Sequence, residues 1–163
     1  MLFRSLAEEE VAKRIDANLM NITFEDLMLL SKDMYRKKAD NLVSKTNGKL
    51  IVKEYPTAGA STIHFKSLLN ELNLKKSFKP DIIFIDYLNI CMSARMKPGG
   101  SVNSYTYIKS IAEELRGLAV EYEVPVVSAT QTTRSGYASS DVDLTDTSES
   151  FGLPATEIGR AHV

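Results

Sequence analysis

Residues 79–90 read KPDIIFIDYLNI, and the fold turns on how this stretch is taken. Four apolar residues, Ile82 to Ile85, run directly into Asp86 before the apolar pattern resumes at Leu88. A short, continuously apolar run of this kind predicts a strand buried on both faces, the pattern of a parallel sheet. A carboxylate at its end is expensive to desolvate unless something pairs with it. In open parallel sheets ligands bind outside the carboxyl ends of the strands, which makes Asp86 a candidate ligand residue.

The flanking sequence supplies the helices such a sheet requires. Downstream, Ile108, Ile111, Ala112, Leu115, Leu118, Ala119 and Tyr122 fall at helical spacing and predict a long helix over 104–123. VPVVSATQ (124–131) then predicts a second buried strand that turns polar at Ser128, Thr130 and Gln131. Upstream, Ile63, Phe65, Leu68, Leu69 and Leu72 predict a helix over 62–74, and KLIVKEYP (49–56) predicts a strand ended by Pro56. Val11, Ile15 and Leu19 mark a first helix with acids at its positive dipole end. A further helix is expected over 31–45, with Ser31 as N-cap and Asn47-Gly48 as turn. Helices alternating with buried strands define an α/β fold with a mostly parallel sheet. No internal repeat or domain boundary stands out.

Composition narrows the class. The chain has 163 residues, 44% hydrophobic and 25% charged, ordinary for one globular domain. No run approaches the ~20 apolar residues of a membrane span. One cysteine, Cys91, excludes an internal disulfide and points to a cytoplasmic setting; it and Tyr87 read as packing residues. His64 and His162 have no Cys or His neighbour at ligand spacing, which argues against zinc or haem. The net charge of -1 combines 14 Lys+Arg against 10 Asp+Glu in residues 1–80 with 6 against 11 in residues 81–163. Any contact with a polyanion must therefore come from local loops.

Three blocks carry a resemblance. PDIIFIDYLNI (80–90), YIKSIAEELRGLAVEYEVPVVSATQTTR (107–134) and SDVDLTDTSESFGLPAT (140–156), taken in that order, resemble the ATPase domain of DnaB-like replicative helicases. EEEVAKRIDANL (8–19) and LIVKEYPTAGAS (50–61) resemble the T-even-type phage members. The resemblance spans roughly residues 7–156 and implies a RecA-like core, truncated at both ends. It implies ATP and Mg2+ as cofactors, single-stranded DNA as substrate, a homohexameric parent, and a primase and a helicase loader as partners. Asp86 resembles the Walker B aspartate on magnesium, and Gln131 resembles the glutamine that senses the γ-phosphate. The loops at 95–101 and 132–138 match the segments facing the ring's channel. Arg95, Lys97 and Arg134 are then candidates for DNA phosphates, and Tyr137 for stacking on a base or sugar. Glu149 and Ser150 match the motif after the second loop, with a structural or coupling role.

Departures from the family pattern matter equally. No G-x-x-x-x-G-K-[ST] occurs, and GASTIHFKS and PGGSVNS lack the required lysine. In the family that element lies upstream. Ala7 falls where the family has its catalytic glutamate, and Glu8 fits only in a shifted register. The arginine finger of the family lies further downstream. The last seven residues, EIGRAHV (157–163), leave the pattern, and IGRAHV translates the opening of a common short-read sequencing adapter. They are read as a non-native tail and set aside. The leading expectation is a piece of a phage replicative helicase, inactive alone. The alternatives are a RecA-type recombinase or other RecA-like ATPase, and a non-catalytic nucleotide- or DNA-binding module.

Overall fold

The structure is a computed structural model that describes residues 2–4, 8–97 and 104–130. Gln131, Arg134, Tyr137, Glu149 and Ser150 lie outside the described residues. The chain divides into two compact units, Met1–Glu54 and Tyr55–Val163, at a point the sequence does not mark by any composition shift.

In the first unit, β1 (Leu2–Arg4) pairs parallel with β2 (Val52–Glu54), with Phe3 opposite Lys53. Three helices lie between them: α1 (Glu8–Met20), α2 (Phe24–Leu29) and α3 (Lys32–Lys45). Ser31 caps α3 as expected, its hydroxyl accepting from the Met34 N–H at 3.3 Å. α2 was not expected, although Thr23 caps it by accepting from the Asp26 N–H at 3.0 Å. The α1 stripe is also narrower than expected. Val11 and Ala17 are buried, whereas Leu19 is exposed. Glu8 accepts from Lys53 Nζ at 3.0 Å and the Glu54 N–H at 3.2 Å. Those bonds hold its carboxyl below the usual carboxylate range, so Glu8 serves as a tie between α1 and β2.

In the second unit, α4 (Thr62–Lys76) leads to β3 (Ile83–Asp86), a 3-10 turn (Leu88–Ile90), α5 (Ser104–Tyr122) and β4 (Val126–Ser128). β3 and β4 are parallel, with Ile83 opposite Val126 and Ile85 opposite Ser128. The core gathers Phe65, Leu69 and Leu72 of α4, Ile83 and Ile85 of β3, and Ile108, Ile111, Leu115 and Leu118 of α5. Tyr122 Oη donates to Asn70 Oδ1 at 3.0 Å, and Lys66 pairs with Glu121, joining α4 to α5.

Two expectations need correction here. Ile63 lies off the buried face of α4, which runs through Thr62, Phe65, Leu69 and Leu72. β3 is also buried on one face only, through Ile83 and Ile85, with Phe84 40% exposed, and no residue of β4 is buried, Val127 being 46% exposed. Unbroken apolar sequence cannot by itself show that both faces are covered.

The segment after β2 makes a tight turn in which the Gly59 N–H donates to Pro56 O at 2.8 Å and Ala58 sits at φ 52°. A Cβ on Gly59 would meet Pro56 O at 2.8 Å, closer than real Cβ contacts. Because that atom is backbone, relief requires the turn to move. Gly59→Ala is expected to destabilise the protein by about 1–3 kcal/mol, whereas Ala58→Gly, relieving the left-handed strain, is expected to be neutral or stabilising by about 1 kcal/mol. Urea unfolding of the two variants checks this, and the reverse ranking would refute it.

Candidate functional site

The carboxyl ends of β3 and β4 are stitched together at the position the sequence singles out. Ser128 Oγ donates to Ile85 O at 2.8 Å, the Leu88 N–H donates to Ala129 O at 3.1 Å, and Thr130 Oγ1 donates to Asn89 Oδ1 at 2.9 Å. The turn after β2 joins the same edge, since the Ala58 N–H donates to Ile90 O at 2.9 Å and the Met92 N–H to Ala60 O at 2.8 Å. Asp86 closes β3 half-buried, with these three segments fixed around its strand end. Gln131 follows Thr130 directly in the sequence.

Cys91 and Tyr87 belong to the scaffold. Cys91 is buried, its Sγ lies 3.8 Å from Tyr87 O, and burial pushes its thiol up to about 11. The thiolate is the reactive form, so Cys91 is expected to resist a disulfide reagent such as Ellman's in the native protein and to react on unfolding. Rapid labelling under native conditions would refute that placement.

The loop after the 3-10 turn is organised by a carboxylate the sequence reading passed over. Glu114 of α5 has a side chain only 7% exposed. It accepts from Ser93 Oγ at 2.5 Å, the Ala94 N–H at 2.8 Å, Thr62 Oγ1 at 3.1 Å and Ser110 Oγ at 3.2 Å. Burial pushes its carboxyl up, but the bonds from Ser93, Ala94, Thr62 and Arg95 together outweigh that and leave it below the usual range. Ser93 Oγ in turn accepts from the N–H groups of Arg95 and Met96 at 3.1 and 3.0 Å. One carboxylate thus ties the start of α4, α5 and residues 93–96 together. Its sequence signal was available: Ser110 and Glu114, four apart, lie together along one edge of the apolar stripe of α5.

Of the expected DNA contacts, Arg95 and Lys97 are exposed on this loop. Arg95 is engaged within the chain, Nη2 donating to Glu113 Oε2 at 3.0 Å and to Ser110 O at 3.1 Å, with Nε 3.4 Å from Glu114 Oε1. The structure therefore brings Asp86 and the polar end of β4 to one sheet edge and gives Arg95 carboxylate partners. Among the described residues no group of three or more His, Cys, Asp or Glu could hold a metal ion. Magnesium differs from zinc in needing only one or two carboxylates beside phosphates and waters. Asp86, a hard oxygen donor at the carboxyl end of a strand, fits that demand. No described helix is long and apolar enough to cross a membrane.

A parallel α/β unit with an aspartate at the carboxyl end of one strand and a polar terminus on its neighbour is an arrangement at which ligands bind. The sequence matches the family described as DnaB-like helicase C terminal domain over residues 3–150. A DnaB-like replicative helicase of Enterobacteria phage T4 is 51% identical over 154 residues, covering 93% of this chain and 32% of that protein. A probable plasmid replicative DNA helicase of Chlamydia trachomatis is 28% identical over 130 residues, covering 77% of this chain and 26% of that protein. Among solved structures, a DnaB-like replicative helicase described with its primase interactions superposes with a TM-score of 0.72 at 23% identity, over 95% of this chain and 38% of that chain. A second solved structure, of an ATPase domain, does so at 0.73 and 24% identity, over 95% and 55%. These superpositions show a RecA-like ATPase fold. The chain belongs to the DnaB-like helicase C-terminal domain family. It spans about a third or less of the curated relatives it matches.

Proposed function

We propose that this chain supplies the Walker B and sensor segments of an ATP-dependent, ring-forming replicative DNA helicase of phage type. The observation that carries the reading is Asp86 at the end of β3, locked beside the polar end of β4 by the Ser128–Ile85 and Thr130–Asn89 bonds, in a chain of this family.

In this reading Asp86 holds magnesium, which when bound offsets the charge of the nucleotide phosphates. Gln131, next in sequence after Thr130, senses the γ-phosphate. Its displacement is passed to residues 132–138, whose Arg134 and Tyr137 grip single-stranded DNA by a phosphate and a base or sugar. Lys97 adds a phosphate contact from the loop that Glu114 holds. The parent assembly is a homohexamer closed by heterologous contacts, working with a primase and a helicase loader in the host cytoplasm.

The chain as given carries no G-x-x-x-x-G-K-[ST] to hold the β- and γ-phosphates. The test is a chimera in which family sequence bearing that loop and the catalytic glutamate replaces residues 1–7 and family sequence bearing the arginine finger replaces residues 157–163. The chimera is expected to hydrolyse ATP, and to do so faster with single-stranded DNA, whereas the 163-residue chain is expected to do neither. A folded chimera with no turnover would refute the reading.

A further inference from the structure

Arg95 is held in two unequal ways. Its main chain is fixed from below, because the Arg95 N–H donates to Ser93 Oγ at 3.1 Å and Ser93 is bonded to the buried Glu114. Its guanidinium lies at the surface, where the side chain is 55% exposed and meets Glu113, itself 43% exposed, at 3.0 Å. Glu114 is already supplied by Ser93, Ala94, Thr62 and Ser110, and its approach to Arg95 Nε is long at 3.4 Å. The exposed carboxylate of Glu113 is therefore the chief anionic partner of the guanidinium.

An exposed ion pair of this kind is weak and screened by salt. A guanidinium fork fits a phosphate as well as it fits a carboxylate. We propose that Glu113 is a built-in stand-in for a nucleic-acid phosphate. Arg95 rests on Glu113 in the free protein and transfers to the backbone of single-stranded DNA when the strand arrives. The anchored loop main chain keeps the guanidinium within reach of both partners, so the exchange needs side-chain rotation and release of the bond from Nη2 to Ser110 O. Glu113 lowers DNA affinity by competing for Arg95, and keeps the loop cation from attaching to other polyanions. This inference rests on the DNA-binding reading above.

The test measures binding of a fluorescein-labelled oligo(dT) to the full chain by anisotropy at low salt, with a double-mutant cycle over Glu113→Gln and Arg95→Ala. Glu113→Gln is expected to raise affinity about 3- to 5-fold, with a thermal melting curve that overlays the parent's. Arg95→Ala is expected to lower affinity and to reduce the slope of log K against log salt by about 0.7, the loss of one single-strand phosphate contact. In the Arg95→Ala background, Glu113→Gln is expected to change nothing. A gain that persists without Arg95 would show general charge repulsion and overturn the exchange, as would no gain at all. Failure of the unsubstituted chain to bind oligo(dT) would instead overturn the DNA-binding reading and the exchange with it.

Discussion

Asp86→Asn in the P-loop-bearing chimera is expected to lower ATP turnover at least ~100-fold while leaving the far-ultraviolet circular dichroism unchanged. The amide keeps the shape of the carboxylate, so the turn at the end of β3 has no steric reason to move. It removes the negative charge with which magnesium would be held at that strand end, and an amide oxygen is a poorer donor to a hard cation. Loss of one well-placed electrostatic group in an active site costs about 2.7–4 kcal/mol of transition-state stabilisation, or ~100- to 1000-fold in rate. Raising magnesium should recover part of the activity, since the site is weakened and not blocked. Steady-state turnover against magnesium concentration measures both effects. Activity within about threefold of the parent, with the same magnesium dependence, would make Asp86 a strand-terminal turn residue and no more.

Much of this arrangement was legible beforehand, and the reasons differ by element. β3, α5 and β4 declare themselves by apolar runs and helical spacing, because their side chains meet neighbours in one unit. Asp86 stood out because a carboxylate after four apolar residues is costly without a partner. The exposure of Phe84 and Val127 was not legible, since burial depends on what lies opposite and not on a residue's own apolarity. β1, only three residues long, is defined by its parallel pairing with β2, a contact between positions far apart in the chain. The Glu113–Arg95 pair escaped for a similar reason: eighteen residues separate its members, and no local periodicity joins them. Arg95 could be read as a loop cation from sequence, but its resting partner could not.

Glu114→Ala is expected to destabilise the protein by about 3–5 kcal/mol at pH 7. The substitution removes the acceptor of Ser93 Oγ, Thr62 Oγ1 and the Ala94 N–H, and buried donors left unpaired cost about 1–3 kcal/mol each before relaxation. Part of that is recovered because Ser93 and Ser110 lie 3.1 Å apart and can bond each other, and Ala94 is exposed. Against a total stability of about 5–15 kcal/mol for an ordinary domain, the remainder is large. The acid dependence gives an independent check. The folded-state carboxyl of Glu114 is held below the ordinary value of 4.5, so its contribution is fully present above that value. It is lost as pH falls through the lower, folded one. The parent should therefore lose its advantage over Glu114→Ala as pH drops below about 4.5. Urea unfolding of both proteins at pH 7, 4 and 3 tests the claim. A difference under about 1 kcal/mol at pH 7, or one that does not shrink in acid, would show that residues 93–96 do not depend on this carboxylate.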